Sequence, residues 1–177
     1  MNANLRLVGR EGSLDLGVGA LVVYGGHGLG RITAIPKKGD DAAGATVVLA
    51  FASGLSVILP LERAEACLRP PAGAPELEAV RAALRLPNVT IEQSWQARTR
   101  MTRTKIALGE PVGLAEVIRD AVERQRRSAV GPTLSSAEEE LYRKARGLLA
   151  AELAVAAGSD EAQADMWIES QLAGSGE

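Results

Sequence analysis

The chain has 177 residues, 46% of them hydrophobic and 24% charged, a length that allows one or two ordinary domains. Because its net charge is −2, any surface that binds nucleic acid must be local. Its one cysteine, Cys67, excludes an internal disulfide framework and a cysteine-rich zinc site. The sequence has no apolar run long enough to span a membrane and no signal-peptide pattern, so we expect a cytoplasmic protein without a membrane partner.

The first part of the chain has the pattern of a small β domain. We predict a flexible leader over residues 1–16. From 17 to 68, β-branched runs alternate with short turns, which predicts at least four antiparallel strands in a small barrel or curled sheet. Residues 69–75, RPPAGAP, predict a linker, because proline and glycine at this density continue neither a helix nor a central strand.

The second part of the chain, residues 76–172, has the apolar periodicity of helices. We predict helices at 76–86, 94–108, 114–127, 135–157 and 159–172, followed by a tail at 173–177. Ser136 and Glu139 have the spacing of a capping box at the start of the fourth helix.

A glycine-rich stretch near the N-terminus, LVVYGGHGLGRI, raises the possibility of a phosphate-binding loop. Gly25 and Gly30 have the right spacing, but Arg31 and Ile32 stand where that loop needs a lysine and a hydroxyl. The residues that follow are β-branched and do not form the helix whose N-terminus would bind phosphate. We therefore predict a tight turn between two strands, with a structural or solvated role for His27, the only histidine. The sequence shows no pattern that would activate a nucleophile, no acid–base pair and no cluster of metal ligands. We therefore expect no enzymatic activity, cofactor or metal.

Motifs in both parts of the chain carry a resemblance to one known family. The first is G-x-x-V-V-Y-x-x-H-G-x-G-x-I over residues 19–32, and the second is Trp95 followed by an arginine-rich helix and Leu108-Gly109-Glu110. Residues 114–120 and 134–156 agree as well. Together they resemble the CarD/CdnL family of bacterial transcription regulators, whose N-terminal module is shared with the RNA-polymerase-interacting domain of transcription-repair coupling factors.

The resemblance implies an α+β protein, with a Tudor-like or SH3-like antiparallel β-barrel over 17–68 and an all-α DNA-contacting domain over 76–172. It implies a transcription regulator whose barrel docks on the β subunit of RNA polymerase. Its helical domain is implied to contact promoter DNA at the upstream edge of the bubble, where a tryptophan wedges into the minor groove and stabilises the open complex. We accordingly expect a nucleoid-associated monomer.

The residues around Trp95 fit the implied DNA contact. Cations without a nearby acid are what a phosphate-binding surface needs, and threonines between them can donate to phosphate oxygens. The predicted DNA-binding residues are Trp95, Arg98, Arg100, Arg103 and Lys105, with a second candidate cluster at Arg124, Arg126 and Arg127. The alternatives are a core or half-buried anchor for Trp95, a solvated helix face for the first cations and helix-dipole stabilisation for the second. Trp167 is predicted to be a packing residue.

On the polymerase-facing side, the predicted contact residues are Lys37, Lys38, Val57, Ile58 and Leu59. Two positions depart from the family pattern. Ile58 stands where members commonly carry a cation, and Gly25 stands where a proline often follows the motif tyrosine. An apolar edge strand still offers main-chain hydrogen bonds to a partner strand. The alternative function is that of a divergent paralogue, a protein-interaction scaffold that no longer binds RNA polymerase.

Overall fold

The computed structural model describes residues 5–9, 12–35, 45–87, 90, 92, 94–127 and 134–174. The chain divides into two compact units, one that ends at Pro71 and one that begins at Ala72. The first unit is mainly antiparallel β-sheet and the second is helical, which confirms the predicted α+β class. No helix in the described ranges is both long enough and apolar enough to cross a bilayer.

The first unit opens with a β-hairpin. Strands β1 (Leu5–Gly9) and β2 (Gly12–Leu16) pair antiparallel, with leucine opposite leucine at two positions. Both strands lie within residues 1–16, which the sequence analysis assigned to a flexible leader. The signal that was missed is the alternation of leucines with polar residues, which has the two-residue period of a strand.

The rest of the first unit is a curled antiparallel sheet with one short helix. Its strands are β3 (Leu21–Tyr24), β4 (Leu29–Ala34), β5 (Thr46–Phe51), β6 (Ser56–Pro60) and β7 (Leu68–Arg69), in the order β6-β5-β4-β3-β7. Its core includes the buried side chains of Val22, Ile32, Val47, Leu49 and Leu59. The four predicted strands are confirmed, but β7 and helix α1 (Leu61–Cys67) were not predicted. Helix α1 buries only Ala64, so it lacks the apolar periodicity by which helices are recognised.

The glycine-rich stretch forms the predicted turn between two strands. Strands β3 and β4 pair antiparallel, and Gly25–His27 between them make one turn of 3₁₀ helix. Gly25 and Gly28 have φ values of 41° and 78°, in the left-handed region that favours glycine. A Cβ on Gly30 would lie 2.9 Å from the ring of Phe51, so this position needs glycine for close packing. His27 is exposed, and its ring stacks on that of Tyr24.

The second unit contains the five predicted helices. They are α2 (Ala74–Arg85), α3 (Trp95–Leu108), α4 (Pro111–Arg127), α5 (Ser136–Ala157) and α6 (Glu161–Ala173). The largest fully buried core side chains come from four of them, and they are Val80, Leu84, Leu114, Ile118, Leu149 and Ile168. Helix α3 packs on the outside of this core and contributes Ile106.

Two helices start earlier than predicted, and one cap lies one residue earlier. Helices α2 and α4 have a proline in their first turn, where its missing N–H removes no helical hydrogen bond. The first of these starts at Ala74, inside the segment predicted as a linker. The cap of α5 is Ser135, whose side chain pairs with Glu138, so the predicted box of Ser136 and Glu139 is wrong by one position. Both pairs have the same spacing, and only the helix start distinguishes them.

Candidate nucleic-acid interface

The candidate interface begins at the N-terminus of α3. Ser94 caps this helix, since its hydroxyl accepts from the Ala97 N–H at 3.4 Å. Trp95 is the first helical residue, and 51% of it is exposed. It is therefore not a core residue. Trp167 on α6 behaves differently, because it packs against the helical core under the guanidinium of Arg81, which confirms the packing prediction.

The predicted cations of α3 lie on two different faces of the helix. Arg100 and Arg103 are exposed and three residues apart, which makes them neighbours on one face. Within the part of the chain that the structure describes, neither side chain makes an ion pair. Their charge is therefore available to a phosphate. Arg98 and Lys105 instead lie on the side of α3 that turns towards α4 and α5.

Arg98 is paired with a carboxylate from a distant part of the sequence. Its Nε and Nη2 atoms both lie 2.9 Å from Oε1 of Glu138 on α5. The same oxygen accepts from Nη1 of Arg124, at the end of α4, at 2.7 Å. The expectation of an unpaired cation at Arg98 is therefore wrong. The count of acids near it in sequence missed Glu138, which tertiary packing brings to it.

Glu138 is held as a carboxylate by its hydrogen bonds. Its side chain is only 10% exposed, and this burial by itself raises the pKa. The opposing hydrogen bonds from the Ser135 backbone, Arg124, Arg98 and the Ser135 hydroxyl prevail and lower the pKa from its ordinary 4.5 to about 2. The group is therefore charged at physiological pH. The sequence signal that could have found it is its position as the acidic member of the true capping box.

Lys105 is the second inward cation. Its Nζ lies 2.8 Å from a carboxylate oxygen of Glu116 on α4, and both side chains are about one-third exposed or less. The expectation that this lysine is unpaired is wrong for the same reason as at Arg98. Two of the four predicted cations on α3 therefore face carboxylates of neighbouring helices, and two face outward.

The second candidate cluster lies in the last turn of α4, as predicted. Arg124 pairs with Glu138, and Arg126 donates from Nη2 to the carbonyl oxygen of Leu172 at 2.9 Å. Arg127 pairs with Glu123 one turn earlier at 2.8 Å. Since all three side chains have partners within the protein, this cluster is a weaker candidate for phosphate binding than the outward face of α3.

A small cleft of about 90 Å³ lies between α3, α4 and α5. Its lining includes Arg98, Lys105, Arg124 and Glu138, and also Thr99, whose buried hydroxyl oxygen has no partner in the described structure. Helix α3 also exposes Met101, which lines the cleft, and Leu108, which does not; the sequence analysis singled out neither. Within the described ranges, no three His, Cys, Asp or Glu side chains come together in a way that suits a metal ion.

The structure describes three of the five predicted polymerase-contact residues, and all three lie on strand β6. Strand β6 lies at one edge of the sheet, with Ile58 exposed at 66%, Val57 half-buried and Leu59 buried. Leu59 therefore supports the core of the sheet and does not offer its side chain to a partner. Lys37 and Lys38 lie outside the described residues.

Two family models match the chain in sequence. The CarD C-terminal domain matches residues 79–169, and the CarD-like/TRCF RID domain matches residues 16–72. The first match covers most of the helical unit, and the second covers most of the sheet unit. RID denotes an RNA polymerase-interacting domain, and the domains of both models are regulatory. The resemblance seen in the motifs is thus confirmed, and the chain belongs to the CarD family of transcription-related proteins that interact with RNA polymerase.

Proposed function

We propose that this protein binds the β subunit of RNA polymerase through its sheet unit and stabilises the open promoter complex through its helical unit. The observation that carries the proposal is the exposed indole of Trp95 at the start of α3, on the same helix as the outward-facing Arg100 and Arg103. A large apolar group and cations on one helix suit contact with a partly melted duplex, because the cations attract phosphates while the indole stacks on an unpaired or kinked base step.

The start of α3 favours this contact for a second reason. The Ser94 hydroxyl accepts from the Ala97 N–H, and the positive end of the helix dipole lies beside the indole. A phosphate near Trp95 is therefore attracted by the helix end as well as by the arginines. Such contacts fix the position of the protein on the duplex without reading the base sequence, so we expect the protein to act at promoters of many sequences.

The sheet unit contributes the polymerase contact in this proposal. An edge strand presents unpaired backbone N–H and C=O groups, to which a strand of another protein can add. Strand β6 has its outward side chain, Ile58, free of the core, so a partner strand would meet an apolar side chain there. The proposed contact residues remain Lys37, Lys38, Val57 and Ile58, with Leu59 as a supporting core residue.

The mechanism is a shift of an equilibrium. Contacts that exist only in the open complex favour the open state by no more than their own free energy. If the contacts of Trp95, Arg100 and Arg103 amount to about 1.4 kcal/mol, the ratio of open to closed complex rises about tenfold. The protein requires no catalytic step to produce this effect.

The experiment that tests the DNA contact is Trp95→Ala in a promoter-opening assay with purified polymerase. We expect the open complex to lose most of the added lifetime while binding to a purified β-subunit fragment is unchanged. Trp167→Phe is the matched control, because it changes the other tryptophan, which packs on the core. Equal loss of both activities in Trp95→Ala, or no loss of either, would contradict the proposed division of roles.

The polymerase contact is tested separately with Ile58→Asp. The change places a charge on the exposed face of β6 and leaves the core of the sheet intact, so we expect weaker binding to the β-subunit fragment without loss of folding. Glu62→Gln on α1 is a control at another exposed position. If the unaltered protein does not bind the fragment at moderate salt, the chain acts as the divergent scaffold and not as a polymerase-bound regulator.

A further inference from the structure

One carboxylate joins three helices close to Trp95. Oε2 of Glu138 accepts from the N–H and the hydroxyl of Ser135, both at 3.0 Å, and so completes the capping box of α5. Its other oxygen, Oε1, accepts from Arg98 on α3 and from Arg124 on α4. The two guanidinium groups therefore share one oxygen atom, and Glu138 is the anion between them.

The hydrogen bonds of Arg98 continue to the segment before α3. Nη1 of Arg98 donates to the carbonyl oxygen of Glu92 at 2.8 Å. The carboxylate of Glu92 in turn accepts from the N–H of Ser94, also at 2.8 Å. A continuous set of hydrogen bonds thus runs from the start of α5, through Glu138 and Arg98, to the cap residue that precedes Trp95.

We propose that Glu138 and Arg98 are positioning residues that hold the first turn of α3, and with it the indole of Trp95, in the orientation that meets DNA; this inference rests on the proposed function. All three guanidinium nitrogens of Arg98 already have acceptors within the protein, and only 16% of its side chain is exposed. Arg98 therefore acts through Trp95 and does not contact phosphate itself.

Loss of the Glu138 charge moves this turn for an electrostatic reason. Arg98 and Arg124 would then face each other at short range without the anion that separates them, and like charges in a partly buried site repel. Neighbouring carboxylates do not replace Glu138, since Asp120 pairs with Arg119 and Glu116 pairs with Lys105. The repulsion is relieved when the first turn of α3 moves away from α4.

The test uses fluorescence of Trp95 in a Trp167→Phe background, where Trp95 is the only tryptophan. Glu138→Gln removes the charge but keeps an oxygen that can accept from Ser135, so the cap of α5 is retained. Glu139→Gln is the matched control, because it makes the same change of charge one residue later, at a residue whose side chain is 41% exposed. We expect a lower steady-state anisotropy of Trp95 in Glu138→Gln, and no change in Glu139→Gln.

A second variant keeps the test decisive if Glu138→Gln lowers the stability of the helical unit too far. Arg98→Lys retains a positive charge near Glu138 but loses the simultaneous donation to the Glu92 carbonyl oxygen. We expect it to lower the anisotropy of Trp95 less than Arg98→Ala does. Unchanged Trp95 anisotropy in both Arg98 variants and in folded Glu138→Gln would overturn the proposal.

Binding to a fluorescently labelled fork-junction DNA separates this proposal from the proposed function. We expect Glu138→Gln to weaken binding about fivefold, or about 1 kcal/mol, although its net charge favours DNA more than that of the unaltered protein. If Trp95→Ala binds the fork as the unaltered protein does, the proposed function fails whatever the anisotropy shows. If Trp95→Ala weakens binding but Glu138→Gln changes neither anisotropy nor binding, only the positioning role fails.

Discussion

The two faces of α3 carry the same kinds of residue but have different surroundings. On the inner face, Arg98 and Lys105 pair with carboxylates of α5 and α4. On the outer face, Arg100 and Arg103 are exposed and make no ion pair within the described part of the chain. These four cations lie within eight residues of one another in a segment without an acid. A basic helix is therefore not one surface: its inner cations form ion pairs within the protein, and its outer cations are available to the proposed DNA contact.

The largest expected effect is on stability and comes from Glu138→Ala. It removes the anion shared by Arg98 and Arg124 and also the acidic member of the capping box of α5, so we expect the free energy of unfolding to fall by about 3 to 5 kcal/mol. Urea unfolding followed by tryptophan fluorescence measures this, because both tryptophans lie in the helical unit. Arg100→Ala on the outer face should cost less than about 0.5 kcal/mol. Equal costs would remove the distinction between the faces.

The second effect is a pH dependence of the same ion pair. The folded-state pKa of Glu138 is lowered from 4.5 to about 2, so its stabilisation is complete above about pH 4.5 and is lost as pH falls towards 2. At neutral pH it amounts to about 3 kcal/mol, since each pKa unit corresponds to about 1.4 kcal/mol. The difference in unfolding free energy between the unaltered protein and Glu138→Gln should therefore shrink on acidification. A difference that grows below pH 4.5 would have the wrong sign.

The third effect is on DNA binding by the outer face. Arg100→Ala combined with Arg103→Ala should weaken binding to fork-junction DNA about tenfold, or about 1.4 kcal/mol, without changing stability. The dependence of log affinity on log salt should flatten by about 2, since each lost phosphate contact contributes about 0.9. Arg143→Ala together with Lys144→Ala, on the exposed part of α5, removes the same charge elsewhere. If that control flattens the dependence of log affinity on log salt equally, the weaker binding reflects the net charge of the protein and not a phosphate contact of Arg100 and Arg103.

The smallest effect distinguishes Lys105 from the outer arginines. Its pair with Glu116 is partly exposed, so Lys105→Ala should lower the free energy of unfolding by about 0.5 to 1 kcal/mol. We expect the salt dependence of DNA binding to stay unchanged in this variant. A slope that flattens by about 1 would instead show that Lys105 exchanges Glu116 for a phosphate in the complex.

Sequence patterns were sufficient for most of the elements. The four main strands, the glycine turn and all five helices of the second unit follow from local signals such as period-two and period-3.6 spacing, caps and breakers. Two of the missed elements have weak local signals, since β7 has two residues and α1 buries only Ala64. The β1–β2 hairpin did carry a signal, the alternation of leucines with polar residues, and this signal was overlooked. The cap of α5 was misplaced because Ser135 and Ser136 are each followed three residues later by glutamate.

The sequence by itself determined the order of the two units, the turn at Gly25–His27 and the identity of the residues that α3 carries. These properties are local, because backbone φ values, helix periodicity and capping depend on neighbours in the chain. Only the tertiary structure decided that Trp95 is exposed while Trp167 packs on the core, and that Glu138 meets Arg98 across forty residues. Periodicity determines which residues share a helix face, but the packing of α4 and α5 against α3 decides which face is covered.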